Sequence, residues 1–166
     1  MRKLILVALL ALAVPAAALA SDEAPSPTDL AKSACESEKA QMGVKTFKAT
    51  YAASTASRAA MTCVAKRDGG AATALKNAAK VCKAERAADP AAFTTKYGTN
   101  KNGKNAYGKC VSVKARGATE QATAARVNAA KACKQLKAEQ KTAFETAYGT
   151  NKNAFGKCVS KMARAS

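Results

Sequence analysis

The sequence predicts an all-α protein of three helical hairpins, each stapled by one disulfide, after a cleaved signal peptide. Three features support this class: a secretory-type N-terminus, six cysteines in three similarly spaced pairs, and a composition rich in alanine and lysine without alternating strand patterns. Alanine makes up most of the 48% of hydrophobic residues in the 166-residue chain. After residue 20, Val, Leu, Ile, Met and Phe make up only about 12%, below the ~20% level associated with disorder in highly charged chains. We therefore expect neither a large apolar pocket nor a doubly wound α/β domain.

Residues 1–20 have the organisation of a secretory signal peptide. A positively charged start precedes an apolar run over residues 4–14, and Ala18 and Ala20 provide the small residues of a cleavage site. The apolar run is too short for a bilayer core of ~30 Å, and no later stretch approaches transmembrane length. We expect cleavage after Ala20 and a mature chain that is secreted, either extracellular or in the cell envelope. A retained membrane anchor is the alternative.

The cysteine spacings predict the disulfides, because an exported chain with an even cysteine count favours bridges over free thiols. The chain has no histidine and no C-x-x-C motif, so it lacks the residues that zinc, haem or thioredoxin-like redox sites require. We therefore expect no metal and no cofactor. If each unit is a hairpin, the economical pairing joins the two cysteines within a unit. A link between units, such as Cys110 with Cys133, stays open at this point. The predicted pairs are Cys35 with Cys63, Cys82 with Cys110, and Cys133 with Cys158.

An internal repeat of about fifty residues underlies these spacings. Aligned on their cysteines, the second and third units share the opening AAKxCK, a Phe four residues before a Tyr, the loop GTNKN, and an aromatic residue followed by GKCVS. The second unit carries three extra residues in its loop, Gly103, Lys104 and Asn105. The first unit keeps Phe47 and Tyr51 with its cysteines but has a different loop, so it is a degenerate or capping copy. The predicted segments are an acidic flexible leader at 21–29 and helical repeats at 30–67, 68–116 and 117–166.

Each unit is predicted to contain two helices, because Ala, Lys, Gln and Glu favour helices. In the third unit, apolar residues recur at helical spacing from Ala129 to Tyr148 with Gln140 as the single polar interruption, which predicts one long helix. In the second unit, Asp89 and Pro90 predict a break with a new N-cap. We also expect Asp29 to cap the first helix.

Glycines mark further positions in the predicted hairpins. Gly98 and Gly149 follow a tyrosine and are expected to end helices. Gly108 and Gly156, each two residues before a cysteine, would allow the helices of a hairpin to approach closely.

No catalytic apparatus is visible in the sequence. The chain has no histidine for a triad or proton relay, and disulfides would consume the cysteine nucleophiles. Its 11 acidic residues are dispersed among lysines. Glu85 and Asp89 share a helical face, but neighbouring Lys83 and Arg86 favour a solvated charged face over a two-carboxylate site. We expect a protein that is not an enzyme.

The net charge of +17 is the broadest functional signal, and each unit carries a positive excess. The electrostatic field of such a charge attracts anionic cell-wall polymers, polysaccharides and nucleic acids, while no specific protein partner can be deduced. The candidate polyanion-binding residues are Lys101, Lys104, Lys109, Lys152 and Lys157. The alternative is a structural or scaffold protein whose lysines only maintain solubility.

The GTNKN loops and the aromatic residues each have two interpretations. The loops are turns between helices, or basic fingers in which amides and lysines contact anionic groups. The aromatic residues form the core, or they stack against bases or sugars; with so little core material we expect the core.

The YGTNKN and NAFGKCVS segments resemble repeats found in small exported bacterial proteins, commonly actinobacterial, with alanine-rich, cysteine-paired units. The resemblance covers residues 78–116 and 129–163 well and residues 31–67 weakly. It implies that the unit is a recurring module, and it implies no substrate and no catalytic residue.

Overall fold

The computed structural model describes residues 24–165, and the predicted signal peptide lies outside this range. The described residues form helices and connecting turns, without strands. The helices are α1 (Pro27–Met42), α2 (Val44–Thr50), α3 (Ala56–Ala88), α4 (Pro90–Tyr97), α5 (Ala106–Glu139), α6 (Lys141–Tyr148) and α7 (Ala154–Met162). The prediction of an all-α fold is confirmed.

Three long helices, α1, α3 and α5, pack against one another, and the shorter helices pack against them. α3 has 33 residues and α5 has 34, about 50 Å each. Each of the two runs through a predicted unit boundary: residues 67 and 68 lie inside α3, and residues 116 and 117 lie inside α5. The return helix of one unit is therefore continuous with the first helix of the next, where the sequence predicted separate hairpins.

All three predicted disulfides are present, each within its own unit. Every pair has a Cα–Cα distance of 6.0 Å, and each cysteine is buried. A linkage between units is thus excluded, since the described residues contain no free cysteine.

The core is divided into three apolar clusters, one around each disulfide. Each cluster contains a buried phenylalanine beside a tyrosine four residues later, with ring centroids 5.0 to 5.3 Å apart. The phenylalanines are Phe47, Phe93 and Phe144. The aromatic residues are core material, as predicted, and the covalent bridge sits at the centre of each small core.

In the second unit, the helix break lies where the sequence predicts it. The Asp89 side chain accepts a hydrogen bond from the Ala92 amide at 2.9 Å, and Pro90 opens α4. Gly98 and Gly149 follow the last residues of α4 and α6, as expected. Gly149 has φ +89°, a conformation that other residues rarely adopt.

Three predictions about helix ends are wrong. The long helix of the third unit is interrupted at Gln140, which separates α5 from α6 without a side-chain cap. At the N-terminus, α1 begins at Pro27, inside the stretch predicted as a flexible leader. Its N-cap is Ser26, which accepts a hydrogen bond from the Asp29 amide at 3.1 Å, so Asp29 lies in the first turn and is not the cap.

Candidate functional site

Two adjoining basic clefts lie where the turn between α2 and α3 meets α7. The larger has a volume of about 670 Å³ and the smaller about 450 Å³, and Tyr51 and Ala52 line both. We call the two clefts together the basic groove. Among the described residues, no Asp or Glu lines either cleft. The cationic residues are Lys66, Lys157, Lys161 and Arg164 in the larger cleft, and Lys48, Arg58 and Lys152 in the smaller.

Helical periodicity places most of these cations. At the start of α3, Arg58 and Lys66 are eight residues apart, so they share one face of the helix. Lys157, Lys161 and Arg164 follow at intervals of four and three residues along α7 and the turn after it. Six of the seven cationic side chains are exposed and Lys48 is half-buried. The groove is therefore walled by two cationic stripes, one from the first unit and one from the third.

A glycine brings these two ends together. A Cβ at Gly156 of α7 would collide with the backbone carbonyl oxygen of Thr50, the last residue of α2. α7 can pack against α2 at this distance because Gly156 has no side chain. The prediction placed a close approach at Gly156 between the helices of the third hairpin, whereas the structure shows it between α7 and a helix of the first unit.

Ala52, on the boundary between the two clefts, has an unusual backbone conformation. Its φ of +52° is the only positive value for a non-glycine residue in the described part of the chain. Left-handed backbone is costly for a residue with a Cβ and tends to occur at functional positions. The amides of Ala52 and Ala53 hold this turn by hydrogen bonds to the carbonyls of Ala49 and Lys48, at 3.2 and 3.0 Å.

Tyr51 connects the groove to the interior. It is only 5% exposed, and its hydroxyl donates a hydrogen bond of 2.9 Å to the Glu38 carboxylate. Burial, together with the negative charge of Glu38, raises the pKa of Tyr51 to about 12. Lys66 and Arg126 lie over its ring at 6.0 and 5.4 Å from the centroid. The tyrosine is thus a fixed and almost fully covered part of the groove.

The Glu38 side chain is fully buried at the junction of α1, α3 and α5. It forms ion pairs with Arg67 at 2.9 Å and Arg126 at 3.2 Å. Arg67 also donates a hydrogen bond of 2.9 Å to the buried hydroxyl of Thr123. Two guanidinium groups and the Tyr51 hydroxyl therefore compensate the buried charge of Glu38.

The second unit has a more exposed version of this cluster. Glu85 accepts a hydrogen bond from the Tyr97 hydroxyl at 3.2 Å and pairs with Lys96 at 2.7 Å and Lys114 at 3.2 Å. The hydrogen bond from Lys96 lowers the pKa of Glu85, and the same contact raises the pKa of Lys96. Glu85 is therefore held by two lysines and a tyrosine and is partly solvated.

The repeat alignment contains a signal that sequence reasoning missed. The third residue after each unit's first cysteine and the fourth after its second cysteine form pairs: Glu38 and Arg67, Glu85 and Lys114, and Leu136 and Met162. The first two are ion pairs, whereas the third packs as part of the apolar cluster of its unit. The acid and the base change together to apolar residues, which indicates a direct contact.

The five predicted polyanion-binding lysines are not gathered in one place. Lys157 lines the larger cleft and Lys152 the smaller, so the structure places both in the basic groove. Lys101 and Lys104 are exposed in the loop before α5, and Lys109 is half-buried on the first turns of that helix. The remaining groove cations were not singled out, because they come from separate units and only the fold brings them together.

The two GTNKN loops are turns between helices, as the simpler interpretation expected. In both, an asparagine side chain accepts a hydrogen bond from a backbone amide two residues on: Asn102 from Lys104 at 3.1 Å, and Asn151 from Asn153 at 2.9 Å. Asn105 also bonds the backbone amide of Thr99 at 3.1 Å. These amides stabilise the loops, while the lysine side chains project outward.

Within residues 24–165, no group of three or more His, Cys, Asp or Glu side chains is placed to hold a metal ion. No helix in this range is both long enough and apolar enough to cross a membrane.

No protein-family model, no curated protein and no solved structure matches the chain significantly.

Proposed function

We propose that the protein is exported through a signal peptide at residues 1–20 and acts as a non-catalytic binding module for polyanions in the cell envelope or outside the cell. Its basic groove is the main binding surface. The three disulfides support an oxidising environment for the folded protein. N-terminal sequencing of the exported protein should give Ser21 as the first residue.

One observation carries the proposal: seven Lys and Arg residues line two adjoining clefts without a carboxylate from the described chain. Concave surfaces lined by one sign of charge concentrate the electric field and attract oppositely charged polymers. Anionic cell-wall polymers, polysaccharides and nucleic acids share the required chemistry. Lys101, Lys104 and Lys109 of the second unit are proposed as additional contacts for a long polymer.

The resemblance of the units to repeats of small exported bacterial proteins agrees with this proposal. We propose that the cysteine-paired unit is a module of that kind, in which the covalent core is retained and the exposed cations provide binding. This affinity would be sequence-independent, because contacts to backbone charges do not read the identity of the monomers.

Salt dependence of binding tests the proposal. Binding to heparin, DNA and cell-wall preparations should weaken linearly on a log–log salt plot, with a slope of up to about −5 if all seven groove cations contact a single-stranded polyanion. The triple variant Lys157→Gln, Lys161→Gln and Arg164→Gln should make this slope shallower by about 2.

A matched control removes the same charge elsewhere. Lys76, Lys80 and Lys83 are exposed on α3 and line neither cleft, so their triple Gln variant should bind almost as tightly as the natural chain. Equal losses in the two triple variants would mean that only net charge matters. No retention at ~0.1 M salt would remove the proposal in favour of a structural protein with incidental charge.

A further inference from the structure

We infer, on the basis of the proposed function, that the basic groove binds a flexible linear phosphate chain without aromatic bases, with at least one phosphate in each cleft. This ligand class comprises inorganic polyphosphate and polymers of phosphates joined by short non-aromatic linkers. Three properties of the groove support this ligand class: its division into two clefts, the absence of an available aromatic face, and the chemistry of its cations.

Because the basic groove is divided into two clefts, a ligand that fills it needs more than one anionic group. Tyr51 and Ala52 line both clefts, so they lie between the two sets of cations. A single phosphate bound in one cleft leaves the cations that line only the other cleft without a bound anion. A phosphate chain that crosses Ala52 contacts the cations of both clefts. Once one of its phosphates is bound, binding of a second phosphate in the other cleft is intramolecular and therefore favoured by a high effective concentration. Because the path is interrupted by the turn, a flexible chain fits better than a rigid duplex.

The aromatic side chains exclude stacking in the groove. Tyr51 is the only aromatic residue of the described chain that lines either cleft, and it is 5% exposed. Its hydroxyl is bonded to Glu38, and its ring is packed beside Phe47 at 5.0 Å. Proteins that bind single-stranded nucleic acids usually stack bases on exposed aromatic residues. Bases would have no stacking surface here, so a base-free chain loses nothing on binding.

The cations suit phosphate. Five of the seven are lysines, whose ammonium groups act as point charges and donate hydrogen bonds to a phosphate oxygen from any direction. Each cleft also contains one arginine, Arg58 or Arg164, whose planar guanidinium group can bind two oxygens of one phosphate. A phosphate chain also carries a charge on every monomer and has no ring, so it can supply several charges within the short groove.

A chain-length series on the full mature protein tests the inference. At constant ionic strength, long-chain polyphosphate should bind at least about a hundredfold tighter than orthophosphate when concentrations are expressed per phosphate. An oligothymidylate with the same number of phosphates should bind about tenfold more weakly than the polyphosphate. Equal affinity per phosphate across the length series would overturn the two-cleft inference. Equal or tighter binding of oligothymidylate, or tighter binding of a heparin oligosaccharide of equal charge, would overturn the ligand class.

Variants of the separate clefts test whether both are used. Lys157→Gln with Lys161→Gln in the larger cleft, and Lys48→Gln with Lys152→Gln in the smaller, should each weaken polyphosphate binding about tenfold and reduce the advantage of long chains. The control, Lys76→Gln with Lys80→Gln, should change neither. An effect confined to one cleft would contradict the inference. Groove-dependent binding of heparin without a length threshold would leave the proposed function intact, whereas no polyanion binding at all would remove both.

Discussion

At the scale of single residues, the buried Glu38 carboxylate joins three long helices to the tyrosine beneath the basic groove. Taking a charge out of water is expensive, and it is tolerated here because Arg67 and Arg126 lie at 2.9 and 3.2 Å. The arginines are themselves largely covered, with side-chain exposures of 12% and 20%. Removing the acid would therefore leave two poorly hydrated positive charges facing each other.

Replacing Glu38 should be costly for this reason. Glu38→Gln is expected to lower the free energy of unfolding by about 3 kcal/mol, measured by urea denaturation at neutral pH. Glu85→Gln is the matched control, because Glu85 occupies the equivalent position in the second unit but is partly exposed to water. Its loss should be clearly smaller, and equal losses would contradict the interpretation that burial decides the cost.

Tyr51 predicts a loss of stability at alkaline pH. A tyrosine in the unfolded chain ionises near pH 10, whereas burial and the charge of Glu38 raise the pKa of Tyr51 to about 12 in the folded protein. The unfolded state therefore loses this proton first, so the contribution is fully present below about pH 10 and is lost as the pH rises towards 12. The loss should be about 2 kcal/mol.

The comparison that isolates this effect is with Tyr51→Phe. Lysine deprotonation affects both proteins, so it cancels in the difference between their unfolding free energies. That difference should shrink between pH 10 and 12, because only the natural chain has a phenol to ionise. A constant difference over this range would show that Tyr51 does not titrate as described.

At the scale of helices, two glycines that both lie inside helices have different roles. Gly156 lies against the Thr50 carbonyl, whereas a Cβ at Gly117 in the middle of α5 would meet nothing within 4 Å. A glycine in open space only weakens its helix, while a glycine at a close contact permits the packing. The sequence alone cannot separate the two cases, because both fall within helical patterns.

Alanine substitutions at these two positions should consequently change the free energy of unfolding in opposite directions. Gly117→Ala is expected to raise the free energy of unfolding by about 0.5–1 kcal/mol through helix propensity. Gly156→Ala should lower it by about 2 kcal/mol, since α7 must move away from α2. Thermal unfolding followed by circular dichroism measures both, and a stabilising Gly156→Ala would disprove the close contact.

Helix ends show what local sequence can predict. The break at Asp89 was predictable because an N-cap side chain and a proline coincide there. The break at Gln140 was not, because it has neither, and its apolar spacing continues across the interruption. The sequence marks the second break only by the polar Gln140 within an apolar stripe, which by itself does not predict the end of a helix.

At the scale of the whole molecule, the cysteine spacing favoured the within-unit pairing that the structure confirms, but it did not predict the positions of the units. The repeat predicts three small cores and their bridges. It does not predict that α7 returns to α2, which brings Lys157 of the third unit beside Lys66 of the first. The basic groove depends on this long-range contact, so sequence reasoning identified only its two lysines nearest the GTNKN loop.

The disulfides should determine whether the whole chain folds. Each closes a loop of 25 to 28 residues, worth about 3.5 kcal/mol in the chain-entropy model, or roughly 10 kcal/mol for all three. Natural domains have a total stability of only ~5–15 kcal/mol. After complete reduction and alkylation we expect loss of most helical circular dichroism at 25 °C. Full helicity with an unchanged melting temperature would contradict this.

The long helices also affect how a chain of this kind could gain or lose length during evolution. Gly70 and Gly117 each follow the second cysteine of their unit by the same number of residues, and both lie inside a helix. Deleting residues 71–117 would thus splice the front of α3 directly to the rear of α5, without a new turn at the junction. We expect recombination at these glycines to yield two-unit or four-unit descendants that keep a complete cysteine pair in every copy.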